Sequence, residues 1–290
     1  AHYDHLGWGG SNSLHAGDSA IHNGADDNAS GVGALLLLAE RLEHKNTSNN
    51  YLFMAFSGEE NGLWGSNHFC DNPTIDLEAV NYMLNMDMVG RLNDERTLAI
   101  YGVGTSPYWM DQLNNLQVDS ITISTEESGV GPSDHTSFYL EDLPVLHFFT
   151  RQHKDYHKPT DDVDKIRYDG IVSVVNYIET LITWLDDDPK ITFTKTKEEK
   201  SETPAFKVTL GVMPDYLFSG EGMRIDGVNE GRPADNAGLL EGDIVVAMGE
   251  DSVSDMQSYM ECLGKFEPGD TTLVQVLRGD SLETKPVVWD

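Results

Sequence analysis

Residues 1–187 predict an α/β sandwich with a mixed, mostly parallel sheet, and residues 205–290 predict a small, strand-rich module. Three observations carry this reading. Apolar runs of strand length alternate with segments of helical periodicity, as parallel sheets buried on both faces require. The composition changes after residue 204 to short strands punctuated by Gly and Asp. Between them, "DDDPKITFTKTKEEKSETP" is charged and weakly patterned, and residues 188–204 read as a linker.

Taken in order, "AHYDHLG" reads as a strand end running into a loop, and "SNSLHAGDSAIHNGADDN" as a long polar loop. Small residues followed by "ALLLLAERLEHK" predict a helix from Ala29 to about Lys45. "YLFMAFS", 51–57, is apolar and aromatic, hence a buried strand. "GLWGSNHFC" resumes a helix, and "NYMLNMDMVG", 81–90, is a second buried strand. "RTLAIYG" and "SITIST" are further strands, "PYWMDQLNNL" and "DHTSFYLED" helices, and "PVLHFFT", 144–150, another buried strand. "DGIVSVVNYIETLITWLDD", 169–187, is a long amphipathic helix. In the second module "AFKVTLGVM", "GMRIDGV", "DIVVAMG" and "TTLVQVLRG" read as strands. "PADNAGL" and "DMQSYMECLGKF" are its helical pieces.

The net charge is -30, from 49 acidic and 19 basic side chains, and both modules are acidic. Such a field repels nucleic acid and anionic membranes, and no nucleic-acid partner is expected. No apolar run is long enough to span a bilayer. Cys70 and Cys262, the only cysteines, fall in different modules, so no disulfide framework exists. The chain begins on Ala1 and its chemistry at residue 2, so a fragment or processed product is expected.

Five potential metal ligands lie in loops at strand ends: His2, Asp26, Glu60, Asp87 and His157. Imidazoles and carboxylates are donors that zinc accepts. Three ligands per ion with one carboxylate shared make a two-metal site, able to activate one water and polarise a scissile carbonyl. Glu59 stands beside Glu60, so one carboxylate is free to ligate while the other moves a proton. There is no GxSxG elbow and no convincing catalytic Cys.

"HYDHLG", "NGADDNASG", "SGEENGLWGS", "NMDMVGR", "PSDHTSF" and "DYHKPTD" follow one another in this order. Together they resemble the aminopeptidase Y family of co-catalytic zinc metallopeptidases, of the bacterial leucyl aminopeptidase type, over roughly residues 1–185. The resemblance implies a three-layer sandwich, two Zn2+ per chain, and removal of N-terminal residues from peptide or protein substrates with a free N-terminus. It implies that Asp26 bridges the ions, with His2 and Asp87 on one and Glu60 and His157 on the other. Glu59 becomes the general base, and Asp4 a carboxylate that orients a ligand imidazole. A cis peptide is implied between Asp26 and Asp27. His135 is placed near substrate or in a supporting structural role, and Tyr156 near substrate. Extracellular or periplasmic residence is implied, as are strands and a helix preceding residue 1.

"TLGVM" with "GMRIDGVNEGRPADNAGLLEGDIVVAMG" resembles a bacterial protease-associated PDZ domain over 205–290. That resemblance makes Leu210, Gly211 and Val212 the loop that receives the C-terminal carboxylate of a peptide ligand. His5, His15, His22, His44, His68 and His153 read as ordinary solvated side chains, and His147 as a core histidine. Asp161 and Asp162 either order the His157 loop or cap a turn. Two other functions remain open at this stage. A glutaminyl cyclase-like transferase uses one zinc, and a receptor-like, catalytically inactive peptide-binding protein uses none.

Overall fold

A computed structural model of the chain describes residues 1–290 apart from 11, 16, 46–47, 187–188, 197–207, 216–217, 219, 230, 280 and 290. It divides into two compact units, one of Ala1–His15 with Ser19–Glu199 and one of Ala16–Asp18 with Lys200–Asp290.

The first unit is built on a four-stranded sheet of β1 (Met83–Met86), β2 (Thr97–Tyr101), β3 (Thr122–Glu126) and β4 (Val145–Phe149), in the order β1-β4-β2-β3. β1 pairs parallel with β4 and β2 parallel with β3, while β4 and β2 run antiparallel. The sheet is therefore mixed, with two of its three pairings parallel. Side chains alternate across it as strand geometry demands. Met86, Leu98, Ile100, Leu146 and Phe148 face one way, into a core shared with helices α1 (Gly31–Glu43), α3 (Pro107–Leu113) and α5 (Tyr168–Leu185). Val145 joins a smaller core with Cys70 and Phe138, from helices α2 (Trp64–Asp71) and α4 (His135–Leu140). Helices on both faces of one sheet make the three layers.

α5 shows why these segments are helices. Ile171, Val174, Val175, Ile178, Leu181, Ile182 and Leu185 recur at three- and four-residue spacing and are all buried. Each contributes on the order of 1.5–3 kcal/mol relative to exposure. Ser106 caps α3, its Oγ accepting from the Tyr108 amide, and Pro107 supplies the first helical residue without needing a donor.

Two expectations are corrected. Residues 51–57 form no strand: they pair only at Phe56, with His2, and Leu52 and Phe53 are exposed. An extended segment needs a partner along its length, and residues 1–3 supply one for a single bridge. The charged stretch expected to be a spacer is bound to the first unit over 190–196. The Ile191 amide donates to Asn81 Oδ1, Thr194 N to Thr105 O, and Thr196 N to Tyr139 Oη. Ile191 itself is buried in the core.

The second unit is a sheet of β5 (Val212–Pro214), β6 (Met223–Val228), β7 (Ile244–Met248), β9 (Thr271–Arg278) and β10 (Ser281–Val288), with β8 (Asp251–Ser252) paired to β7. The order β10-β9-β7-β6-β5 is antiparallel throughout and leaves β5 at an edge. Helices α6 (Pro233–Asn236) and α7 (Met256–Leu263) complete it, the latter opened by a reciprocal Asp255–Ser258 capping box. The expected first strand begins later, at Val212. Residues 205–207 of that expectation lie outside the described residues, and Val208–Gly211 is irregular. β10 was not anticipated, because "SLETKPVV" is largely polar and its pairing comes from β9 rather than from its own pattern.

Leu181→Ala should cost about 2–5 kcal/mol of the first unit's stability, since Leu181 is wholly buried and leaves a cavity. Chemical denaturation followed by far-UV circular dichroism measures it; a loss below about 0.5 kcal/mol, on the order of an ordinary surface change, contradicts the packing described.

Candidate metal centre

Loops at the sheet's edge bring scattered side chains together. The bridge between residues 1–3 and Phe56 aligns His2 with the turn that follows Phe56: Phe56 N donates to Ala1 O and Tyr3 N to Phe56 O. Gly58, with φ +73°, turns the chain into the short helical turn Glu59–Asn61. Asp87 follows β1 directly and His157 lies in the loop after β4, so one sheet anchors both.

His2 Nε2 lies 3.2 Å from Asp27 Oδ1, 3.4 Å from Asp87 Oδ1 and 3.9 Å from Glu59 Oε2. His157 Nε2 lies 3.3 Å from Asp27 Oδ2 and 3.0 Å from Glu60 Oε2. The two oxygens of Asp27 thus face the two histidines. Each imidazole is steered from behind by a backbone carbonyl: His2 Nδ1 is 3.0 Å from Asp4 O, and His157 Nδ1 is 2.7 Å from Asn12 O. A carbonyl only accepts, so each Nδ1 carries a hydrogen and each Nε2 is turned towards the carboxylates, where it meets them through a proton or through a cation.

The position between the two histidines, expected of Asp26, is therefore occupied by Asp27. The Asp26 carboxylate is wholly buried and already engaged, with Gly90 N donating to Oδ1 at 2.6 Å and His153 Nε2 3.1 Å from Oδ2. The cis peptide is likewise one residue further on, between Asp27 and Asn28. Asp161 holds this turn, its Oδ2 accepting from the amides of Asp26 and Asp27 at 2.8 and 3.1 Å while Arg91 Nη2 approaches Oδ1. Asn28 anchors the other side, donating to Met86 O and accepting from the amides of Gly31 and Met88.

Asp4 orients His2, but through its carbonyl. Its carboxylate instead accepts from Gly58 N at 2.6 Å and so fixes the Glu59 turn. Tyr156 stacks on His157 with ring centroids 3.8 Å apart. His135 is wholly buried and stacked on His147 with ring centroids 4.5 Å apart. Burial holds it well below the usual histidine range, with His147 adding to the effect. Ser133, which the sequence did not single out, donates to Asp87 Oδ2 at 2.7 Å and accepts from Asn85 Nδ2. His5 and His153, read as solvated, are instead directed at Glu60 and Asp26.

The electrostatics are those of buried acids around two bases. Burial alone would lower His2, but Asp87 and Asp27 outweigh it and raise it far above the histidine range. Burial would raise Asp27, yet His157 and His2 hold it far below the carboxylate range. Burial lifts Glu59 well above that range; His2 opposes this, and Asp87 and Glu60 reinforce it. Ligand atoms of His2, Glu59 and Asp87, and separately of His5, Asp27 and Glu60, lie within 4.8 Å of one another. Asp87 Oδ1 is buried and accepts no hydrogen bond. Such a donor set, rich in buried negative charge and with both imidazole Nε2 atoms turned inward, fits divalent cations of the zinc type.

Fold and site together define an α/β sandwich with a candidate binuclear cation centre at its sheet edge. The chain belongs to peptidase family M28, whose model matches residues 1–182, and a PDZ domain model matches residues 191–287. The second match begins inside the stretch that folds with the first unit. Among similar proteins, aminopeptidase Y of Saccharomyces cerevisiae is 26% identical over 207 residues, covering 63% of this chain and 38% of that protein. Aminopeptidase YwaD of Bacillus subtilis is 29% identical over 158 residues, covering 49% and 33%. The chain thus spans about a third of these relatives' length. The solved structure of BSAP, a zinc aminopeptidase from Bacillus subtilis, superposes with a TM-score of 0.50 at 25% identity, covering 60% of this chain and 47% of that one.

Asp27→Ala should abolish uptake of zinc at both positions, because one carboxylate faces both histidines, whereas Asp26→Asn should retain it. Metal analysis after dialysis against dilute zinc checks this, and the reverse pattern would restore the bridge to Asp26.

Proposed function

We propose that the first unit is the catalytic part of a zinc-dependent aminopeptidase that removes N-terminal residues from peptides and proteins. The observation that supports it most is Asp27 standing between His2 and His157 with Glu59 alongside. Membership of the M28 peptidases and the likeness to proteins named as aminopeptidases point the same way. His2 and Asp87 would hold one zinc ion, Glu60 and His157 the other, and Asp27 both. When bound, the ions supply an activated water and a polarised scissile carbonyl.

The remaining work falls to the chain's own groups. Glu59 ligates neither ion in this assignment, so its carboxylate is left to accept a proton from the attacking water and deliver it to the leaving amine. The surrounding carboxylates favour a substrate that presents a free, cationic α-amine, which is what distinguishes an exopeptidase substrate. Ser133 and the Asp4 carbonyl keep Asp87 and His2 aimed while this happens.

For the second unit we propose reception of an extended peptide C-terminus along the free edge of β5. Gly211, at φ +73°, makes the loop before that edge, and a Cβ there would lie 2.2 Å from Arg232 Cβ. Its carbonyl accepts from Asn229 N and Nδ2, while Leu210 O accepts from Ala234 N. Among the described residues no helix is long and apolar enough to cross a membrane. Extracellular or periplasmic residence belongs to the same proposal and rests on the likeness to its family.

Glu59→Gln should bind zinc as before while kcat on aminoacyl amides falls by about 10²–10⁴. Retained activity would remove Glu59 from the proton path. Gly211→Val should weaken binding of C-terminal peptides at least about tenfold, by calorimetry, with hydrolysis of small amides unchanged. Unchanged peptide affinity would place the ligand elsewhere.

A further inference from the structure

His5 lies three residues beyond His2 and belongs to neither histidine pair already described. Its side chain is only 8% exposed, and its Nδ1 sits 2.7 Å from Glu60 Oε1. The other oxygen of Glu60, Oε2, lies 3.0 Å from His157 Nε2. One carboxylate is thus shared between two imidazoles, oxygen by oxygen. An ionised carboxylate only accepts hydrogen bonds, so Nδ1 carries the hydrogen and donates it to Oε1. The arrangement is built rather than incidental. Gly24, at φ +60°, packs against the ring so closely that a Cβ there would come within 2.8 Å of His5 Cγ. The His157 ring meets the His5 ring edge-on at 5.7 Å. The Glu60 backbone is fixed as well, because Asn12 Nδ2 donates to Glu60 O while Asn12 O accepts from His157.

We infer that His5 is a positioning residue for Glu60: its Nδ1–H pins Oε1 and leaves Oε2 aimed, with His157 and Asp27, at one cation position. His5 Nδ1 is 3.8 Å from Asp27 Oδ2, farther than His157 Nε2 at 3.3 Å, which sets His5 behind the ligands. The consequence is asymmetric. The Glu60–His157 position depends on His5, and the His2–Asp87 position does not. This inference rests on the reading of the site as a holder of two cations.

Titrating the full chain, stripped by chelator, with Zn2+ in a calorimeter tests it. The wild type should take up two equivalents. His5→Ala should keep one and bind the other about ten- to a hundredfold more weakly, the usual effect of losing an outer partner of a ligand. His5→Asn, whose amide nitrogen reaches the place of Nδ1, should recover most of that affinity. His5→Gln, whose nitrogen reaches the place of Nε2, should not. The inference is overturned if His5→Ala binds both equivalents as tightly as wild type. It is equally overturned if His5→Asn is as impaired as His5→Gln, since ring packing would then be what counts. The Asn and Gln pair carries the comparison if the Ala variant does not fold. A wild-type chain that takes up fewer than two equivalents would sink the parent reading itself, and that result is visible before any variant is made.

Discussion

Everything in the first unit is arranged around a single carboxylate that two histidines face from opposite sides. Asp27 is buried, its oxygens point separately at His2 and His157, and the pairing holds it ionised against the cost of burial. Around it stand Glu59, Glu60 and Asp87, all acids and all largely excluded from water. Like charges so close oppose one another, and the two imidazoles cannot neutralise them all. A fold that keeps such a cluster needs either protons or cations to complete it. Each Nε2 faces these carboxylates, so a cation in the cluster would replace the protons that otherwise pair them.

The scaffolding is concentrated in backbone contacts. The Asp4 and Asn12 carbonyls set the tautomers of the two histidines, and Asp161 receives the two amides of the turn that carries Asp27. Asn28 ties the same turn to the end of β1, from which Asp87 follows. The geometry of the centre is thus inherited from the sheet: β1 delivers Asp87, the loop after β4 delivers His157, and the bridge at Phe56 delivers His2 and Glu59 together.

Much of this was legible from residues alone, and the exceptions have physical reasons. The helices and the four strands of the first sheet were visible because their periodicity reflects which face is buried. Residues 51–57 misled because apolar character reports a wish for burial, while strand formation depends on a partner that the sequence of the segment does not contain. His2, Glu59, Glu60, Asp87 and His157 were legible as a converging set. The choice between Asp26 and Asp27 was not, because adjacent residues in an irregular turn point oppositely and only the backbone decides which carboxylate enters. Residues alone do not distinguish His5 and His153 from solvated side chains, because a lone histidine carries no mark of its neighbours until the chain folds. In the second unit β10 escaped notice for the reason residues 51–57 misled: pairing belongs to two strands together.

Crystals grown with zinc and measured on both sides of its absorption edge would test the central claim most directly. The account predicts two anomalous peaks about 3.5–4 Å apart, with one oxygen of Asp27 directed at each. One peak alone, or two bridged by Asp26 with Asp27 turned away, would contradict it.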